Sequence, residues 1–289
     1  MKYESLLRQI ENDDIHGASY LIELGAEGAL ALLKEGDIKK LPEFAERLMR
    51  AQPSMAPVLN FSAFLLAQYK DKREDGEKLR EVIINYVVNF RKARKKSLEN
   101  AENLIENGDI VVTHSFSSSV LEVLKLAREK GKKFEVLCTE SRPQREGLIL
   151  AQRLSGMGIK TYLTTDMGIF SLIEGRASSL LFGVDAFLKS GIVNKVGTAP
   201  MAKYAGNRGI PVFFVADSFK ILPEEVMGYF KLRSGKSEEI LEKPPENLEI
   251  VNPYFDVTPY SVVRGIAIET GVTGPLEFLE KAFGVNTNP

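Results

Sequence analysis

The spacing of apolar and polar residues changes period once along the chain. From about Tyr3 to Asn100 apolar positions recur at helical spacing, as in Ala26, Leu30 and Leu33 and again in Phe61, Phe64 and Leu65, while strand-like runs are nearly missing. This pattern predicts an all-α N-terminal part. QPSMAPVLN carries Pro53 and Pro57, and the residue before each proline is biased away from helix, so the two are expected to bracket a break. A helix is expected to resume near Val58 and another to run from about Gly76 to Ala93. The chain shows no internal repeat and no low-complexity tract.

From Gly108 short β-branched and aromatic runs alternate with helical patterns, which argues for βαβ units and a parallel sheet with right-handed crossovers. The predicted strands are Ile110 to Thr113, Phe134 to Cys138, Thr161 to Thr164, Ser179 to Gly183 and Val212 to Ala216, with helices at Val120 to Glu129, Arg145 to Leu154 and Met201 to Asn207. Gly131, Gly158 and Gly209 each follow a helix, where a left-handed residue is expected. The expected organisation is α/β, with a helical domain over 1–107 and a parallel-sheet domain over 108–289. LEKPPENLEIVNPYFDVTP reads as a structured loop, because Ile250, Val251, Tyr254 and Phe255 need burial.

The stretch DIVVTHSFSSS, from Asp109 to Ser119, runs a buried strand straight into a helix start. In open parallel sheets ligands bind beyond the carboxyl ends of the strands, where helix N-termini favour anions. Four groups fall at or just after such strand ends. They are Ser115 with Ser117, Ser118 and Ser119; TESRP, with Arg142; GVDAFLKSGIVNKVGT, with Asp185, Asn194 and Lys195; and ADSFK, with Asp217 and Lys220. Three cations beside a helix N-terminus suit phosphate, Arg as a bidentate fork and Lys as a point charge. Each group also has a plain structural role open to it. Serines at a helix start are caps far more often than nucleophiles, Arg142 and Lys220 fit as rim charges, and Asp185 fits as a loop cap, although its place after an apolar run invites a shifted pKa. Strand alternation would turn His114 away from Ser115 and make it a poor base for that serine. Cys138, inside a strand, reads as an inert thiol.

Composition narrows the function classes. A net charge of −1 without a sustained basic run gives no support for a nucleic-acid face, and RKARKK at Arg91 to Lys96 fits a solvated helix face. One cysteine and two distant histidines, His16 and His114, argue against a metal site. No cofactor fingerprint is present, since neither a Walker loop nor GxGxxG follows the first strand. No window reaches the length of an apolar membrane span and the N-terminus lacks a signal-peptide pattern, so a soluble, cytoplasmic protein is expected. At 289 residues, with 44% apolar and 27% charged positions, one large or two unequal domains with a sizeable core are expected.

THSFSSS, TESRP, GVDAFLKSGIVNKVGT and NPYFDVTP, in that order, resemble the signatures of one family: the alpha, beta and delta subunits of translation initiation factor 2B together with the ribose 1,5-bisphosphate and methylthioribose 1-phosphate isomerases. The resemblance covers about Gly108 to Pro275. It implies a helical domain followed by a Rossmann-like domain that dimerises through the latter. In the isomerases of this family a cysteine stands where this chain has Ser115, and it works with an aspartate matching Asp185 in aldose-to-ketose conversion. Here the aspartate is kept and the thiol is replaced by a hydroxyl, which needs a dedicated base to act. Arginines that the resemblance places in two N-terminal phosphate motifs are His16 and Gln52 in this chain, whereas Arg142, Lys195 and Lys220 keep the C-terminal half of an anion site.

The resemblance is strongest to the alpha regulatory subunit, in its archaeal branch. It implies a non-catalytic homodimer, open to higher assembly, with a pocket for a sugar phosphate or nucleotide and with initiation factor 2 as a partner. Two alternatives stand beside it: a sugar-phosphate isomerase using Asp185 with Ser115 as hydrogen-bond donor, and a metabolite sensor unrelated to translation.

Overall fold

The structure is a computed structural model that describes residues 2–13, 17–72 and 75–285. His16 lies outside the described residues. The chain forms two compact units, Met1–Ala93 with Phe219–Leu232, and Arg94–Ser218 with Arg233–Pro289.

The first unit is helical: α1 (Lys2–Glu11), α2 (Ala18–Lys34), α3 (Leu41–Ala51), α4 (Ala56–Lys72) and the first part of α5 (Gly76–Glu102). Leu7, Ile10, Leu21, Phe44, Leu48, Phe61, Leu65, Leu79 and Ile83 form its core. The segment from Phe219 joins this core because its ring meets Tyr86 and Phe90 edge-on at 5.1 and 5.4 Å. Asn60 also donates to the carbonyls of Phe219 and Ile221 at 2.7 and 2.8 Å. The expected break is narrower than the two prolines suggested: α3 stops at Ala51, but Pro57 sits in the first turn of α4, where a missing N–H costs no helical hydrogen bond. Gln52 is buried and donates to the carbonyls of Ile10 and Asp13, so it fastens the end of α1.

The second unit is built on a seven-stranded sheet. Its strands are β1 (Ile110–Thr113), β2 (Glu135–Thr139), β3 (Lys160–Thr164), β4 (Ser179–Phe182), β7 (Val212–Val215), β9 (Gly265–Ile268) and β10 (Gly271–Thr273). A second, antiparallel sheet holds β5 (Ala186–Leu188), β6 (Gly191–Lys195) and β8 (Phe255–Thr258) in the order β5-β6-β8. The helices are α6 (Ser118–Glu129), α7 (Glu146–Gly156), α8 (Phe170–Ile173), α9 (Thr198–Gly206) and α10 (Pro275–Phe283). The large sheet runs β10-β9-β7-β4-β1-β2-β3, parallel except for β10.

Chain order therefore reverses between β1 and β4, and such a switch point opens a crevice at the carboxyl ends of those two strands. Val111, Val136, Cys138, Leu181, Val215 and Ala267 of the sheet pack with Val120, Leu124, Leu150 and Leu154 of α6 and α7 into one core. Gly131, Gly158 and Gly209 take positive φ, as their places after helices require. The stretch before β8 departs from expectation. Val251 is 74% exposed, so that part of the loop is not held by burial of its apolar side chains. Strands β5, β6, β8, β9 and β10 were not predicted as strands.

Candidate functional site

β1 delivers His114 and Ser115 to the carboxyl edge of the sheet. Ser115 turns into the left-handed region with φ 63°, so strand alternation ends there and the side-chain directions of these two residues do not follow the pleat. His114 is buried, and its Nε2 lies 2.8 Å from the Val196 carbonyl, to which it must donate. Nδ1 is then the acceptor, and it faces the hydroxyls of Thr139 and, at 3.2 Å, Ser141. Burial holds the imidazole below its ordinary pKa, in keeping with a neutral ring.

Ser141 connects the first two strand ends. Its Oγ accepts the Ser115 N–H at 2.7 Å and lies 3.2 Å from Thr139 Oγ1. Ser141 itself has φ 63°, and the carboxylate of Asp166, after β3, receives the N–H groups of Ser141 and Arg142, each at 2.7 Å. Three consecutive parallel strands thus have their terminal loops cross-tied by buried hydroxyls and one carboxylate. The Arg142 side chain lies on the exposed side of this turn.

On the other flank of the switch point, Ser117 caps α6, accepting the Val120 N–H at 3.3 Å. Ser118 is the exposed first residue of that helix. Gly183 after β4 packs so close that a β-carbon there would come within 2.3 Å of Ser117 Oγ. Asp185 follows two residues later, half-buried, and its N–H donates to Val193 at 2.9 Å to open the β5–β6 hairpin. Ser115 and Asp185 therefore follow neighbouring parallel strands at the same edge of the sheet. Asn194 braces this corner: Nδ2 donates to the Gly183 carbonyl, and Oδ1 accepts from the Lys195 N–H and the Thr198 hydroxyl at 2.8 and 2.9 Å.

Lys195 ends β6 almost fully buried, its ammonium 2.9 Å from Glu146 Oε1 on α7 and 4.7 Å from the centre of the Tyr254 ring. Tyr254 accepts from Gln144 Nε2 at 2.6 Å and donates to Glu239, which keeps the ring in place. Asp256 on β8 receives the N–H groups of Gly197 and Ala199 at the start of α9, at 2.7 and 3.1 Å. Burial nevertheless pushes its pKa up to about 6, against the pull of those amides and of Lys203.

Of the residues singled out in the sequence, Ser115, Ser117, Ser118, Arg142, Asp185, Asn194 and Lys195 all lie at strand ends or helix starts of the second unit. Lys220 falls in the segment that belongs to the first unit. Cys138 is buried and its thiol is pushed up to about 12, so it is inert. Thr139, Ser141, Glu146, Asp166 and Asp256 complete the constellation and were not singled out. Thr139 and Ser141 stood inside TESRP and Asp256 inside NPYFDVTP, whereas Asp166 had no motif to mark it. Among the described residues no group of three or more His, Cys, Asp or Glu could hold a metal ion, and no helix is long and apolar enough to cross a membrane.

Most of the chain is similar to proteins named as initiation factors and to proteins named as sugar-phosphate isomerases. A Pyrococcus horikoshii protein named as translation initiation factor eIF-2B subunit 2-like is 36% identical over 279 residues, 93% of this chain and 95% of that protein. The ribose 1,5-bisphosphate isomerase of Thermococcus kodakarensis is 29% identical over 303 residues, 96% of this chain and 94% of the isomerase. Among solved structures, that of the Pyrococcus horikoshii OT3 translation initiation factor eIF-2B superimposes with a TM-score of 0.81 at 32% identity, covering 96% of this chain and 98% of that one. Residues 4–275 match the model of the initiation factor 2 subunit family, and the chain belongs to that family.

Proposed function

We propose that this chain is a regulatory, ligand-binding member of the family, similar to the alpha subunit of initiation factor 2B, acting in translation initiation without catalysis. The observation that carries the reading is the hydroxyl at position 115. Aldose-to-ketose conversion moves a proton between adjacent carbons, and the isomerase arrangement implied by the family resemblance uses a thiol together with the aspartate matching Asp185. A serine hydroxyl needs a base, and the neighbouring His114 ring has both nitrogens committed, to Val196 and to the Thr139 and Ser141 hydroxyls. In this reading the crevice beside the α6 N-terminus takes a sugar phosphate or nucleotide, the chain forms a homodimer, and initiation factor 2 is its partner.

The second reading is an isomerase, favoured by the 29% identity with the Thermococcus kodakarensis enzyme and by the presence of Asp185 at the crevice. Incubation with ribose 1,5-bisphosphate or methylthioribose 1-phosphate separates the two. The binding-only reading expects no ketose product. Product that forms with the native chain and disappears in Asp185→Asn overturns it. Co-sedimentation with purified initiation factor 2 tests the partner, and its absence at micromolar concentrations would shift the reading toward a metabolite sensor.

A further inference from the structure

Within the proposed pocket Lys195 is the buried cation, and its charge is already spent. Only 9% of its side chain is exposed, Glu146 Oε1 lies 2.9 Å from the ammonium, and the Tyr254 ring covers it at 4.7 Å. The second oxygen of Glu146 is buried and receives no hydrogen bond. A phosphate brought to Lys195 would therefore meet a carboxylate that holds the same ammonium. Two anions competing for one largely buried ammonium repel each other.

We propose that Glu146 is the specificity-determining residue of this crevice: it occupies the place an anionic group would take at Lys195, so the native site rejects a phosphate there. The site takes the uncharged, hydroxyl-bearing part of a ligand at that end, and any phosphate must lie elsewhere. A carboxylate oxygen lacking a donor suits a hydroxyl, which can supply one. The inference rests on the pocket reading above and names which ligand chemistry the Lys195 end accepts.

Glu146→Gln keeps the shape of the side chain and removes its charge. Binding of inorganic phosphate and of ribose 5-phosphate is measured by titration calorimetry on the native chain, on Glu146→Gln and on Glu146→Gln combined with Lys195→Met. The expected result is a gain in phosphate affinity on the order of tenfold or more in Glu146→Gln, lost again in the double variant. A merely structural ion pair would instead lower stability and leave anion affinity unmoved. Glu146→Ala, checked for native circular dichroism, reads the same gain should the glutamine variant fail to fold. Equal phosphate affinity in the native chain and the variants, or no measurable binding by any of them, overturns the inference. A native chain that binds ribose 5-phosphate while Glu146→Gln gains nothing overturns it and leaves the pocket reading standing.

Discussion

Asp256 offers a test of the electrostatics at the α9 end of the site. Its pKa in the fold is pushed up to about 6, first by burial, with the Gly197 and Ala199 amides and Lys203 opposing. In the unfolded chain the group returns to its ordinary value of 3.8. Between those values the folded protein holds a proton that the unfolded chain has released. This carboxylate therefore makes stability rise as pH falls through 6 toward 4, opposite in sign to a carboxylate held by a salt bridge. A gap of about two pK units corresponds to ~3 kcal/mol, and partial contact with water reduces this to about 1.5–3 kcal/mol.

Asp256→Asn keeps the shape and an acceptor oxygen but cannot titrate. The quantity to measure is the difference in urea unfolding free energy between native and variant chains across that pH range. Titrations common to both chains cancel in it, including that of His114. With its pKa lowered by burial, His114 makes stability fall as pH drops below about 6.5. The native chain should gain on the variant as pH falls, by about 1.5–3 kcal/mol in total. A difference that is flat with pH, or one that grows as pH rises, refutes the argument that burial outweighs the two amide hydrogen bonds.

Two further perturbations probe the ties between strand ends. Ser141→Ala leaves the buried Ser115 N–H without its acceptor and should cost about 1–3 kcal/mol, read as a lower urea midpoint; an unchanged midpoint would mean that the cross-tie carries no stability. Gly183→Ala drives a methyl to within 2.3 Å of Ser117 Oγ and displaces the α6 cap, at a cost of about 1–3 kcal/mol for the crowding and about 1 kcal/mol for the cap. Amide exchange at Val120, whose N–H that cap holds, should accelerate, and unaltered protection there would refute the packing argument.

Apart from β9 and β10, the strands of the large sheet were legible as short runs rich in apolar and β-branched residues, as Ile110 to Thr113 is before α6. The small sheet was not. β5 and β6 are buried on both faces over three and five residues, and β6 ends in the polar pair Asn194 and Lys195, so neither shows the alternation of a half-buried strand. β8 becomes a strand only by pairing Phe255 through Thr258 with β6, some 60 residues earlier, and no local pattern could announce that partner.

The candidate site divides the same way. Residue types were readable, and Ser117 is the cap that its place before an apolar helical period allowed. Pairings were not readable. Lys195 read as an anion ligand because it fell with two other cations at strand ends beside a helix start, yet the carboxylate that answers it comes from position 146, on α7. A lysine's meaning in a site is set by whether its counter-charge is a ligand or another part of the chain. Local sequence is blind to that choice, since a salt bridge between distant positions needs only two ordinary residues and a fold that joins them. At this site the choice falls on the chain itself, and the 2.9 Å contact between Lys195 and Glu146 changes the expected ligand chemistry more than any motif does.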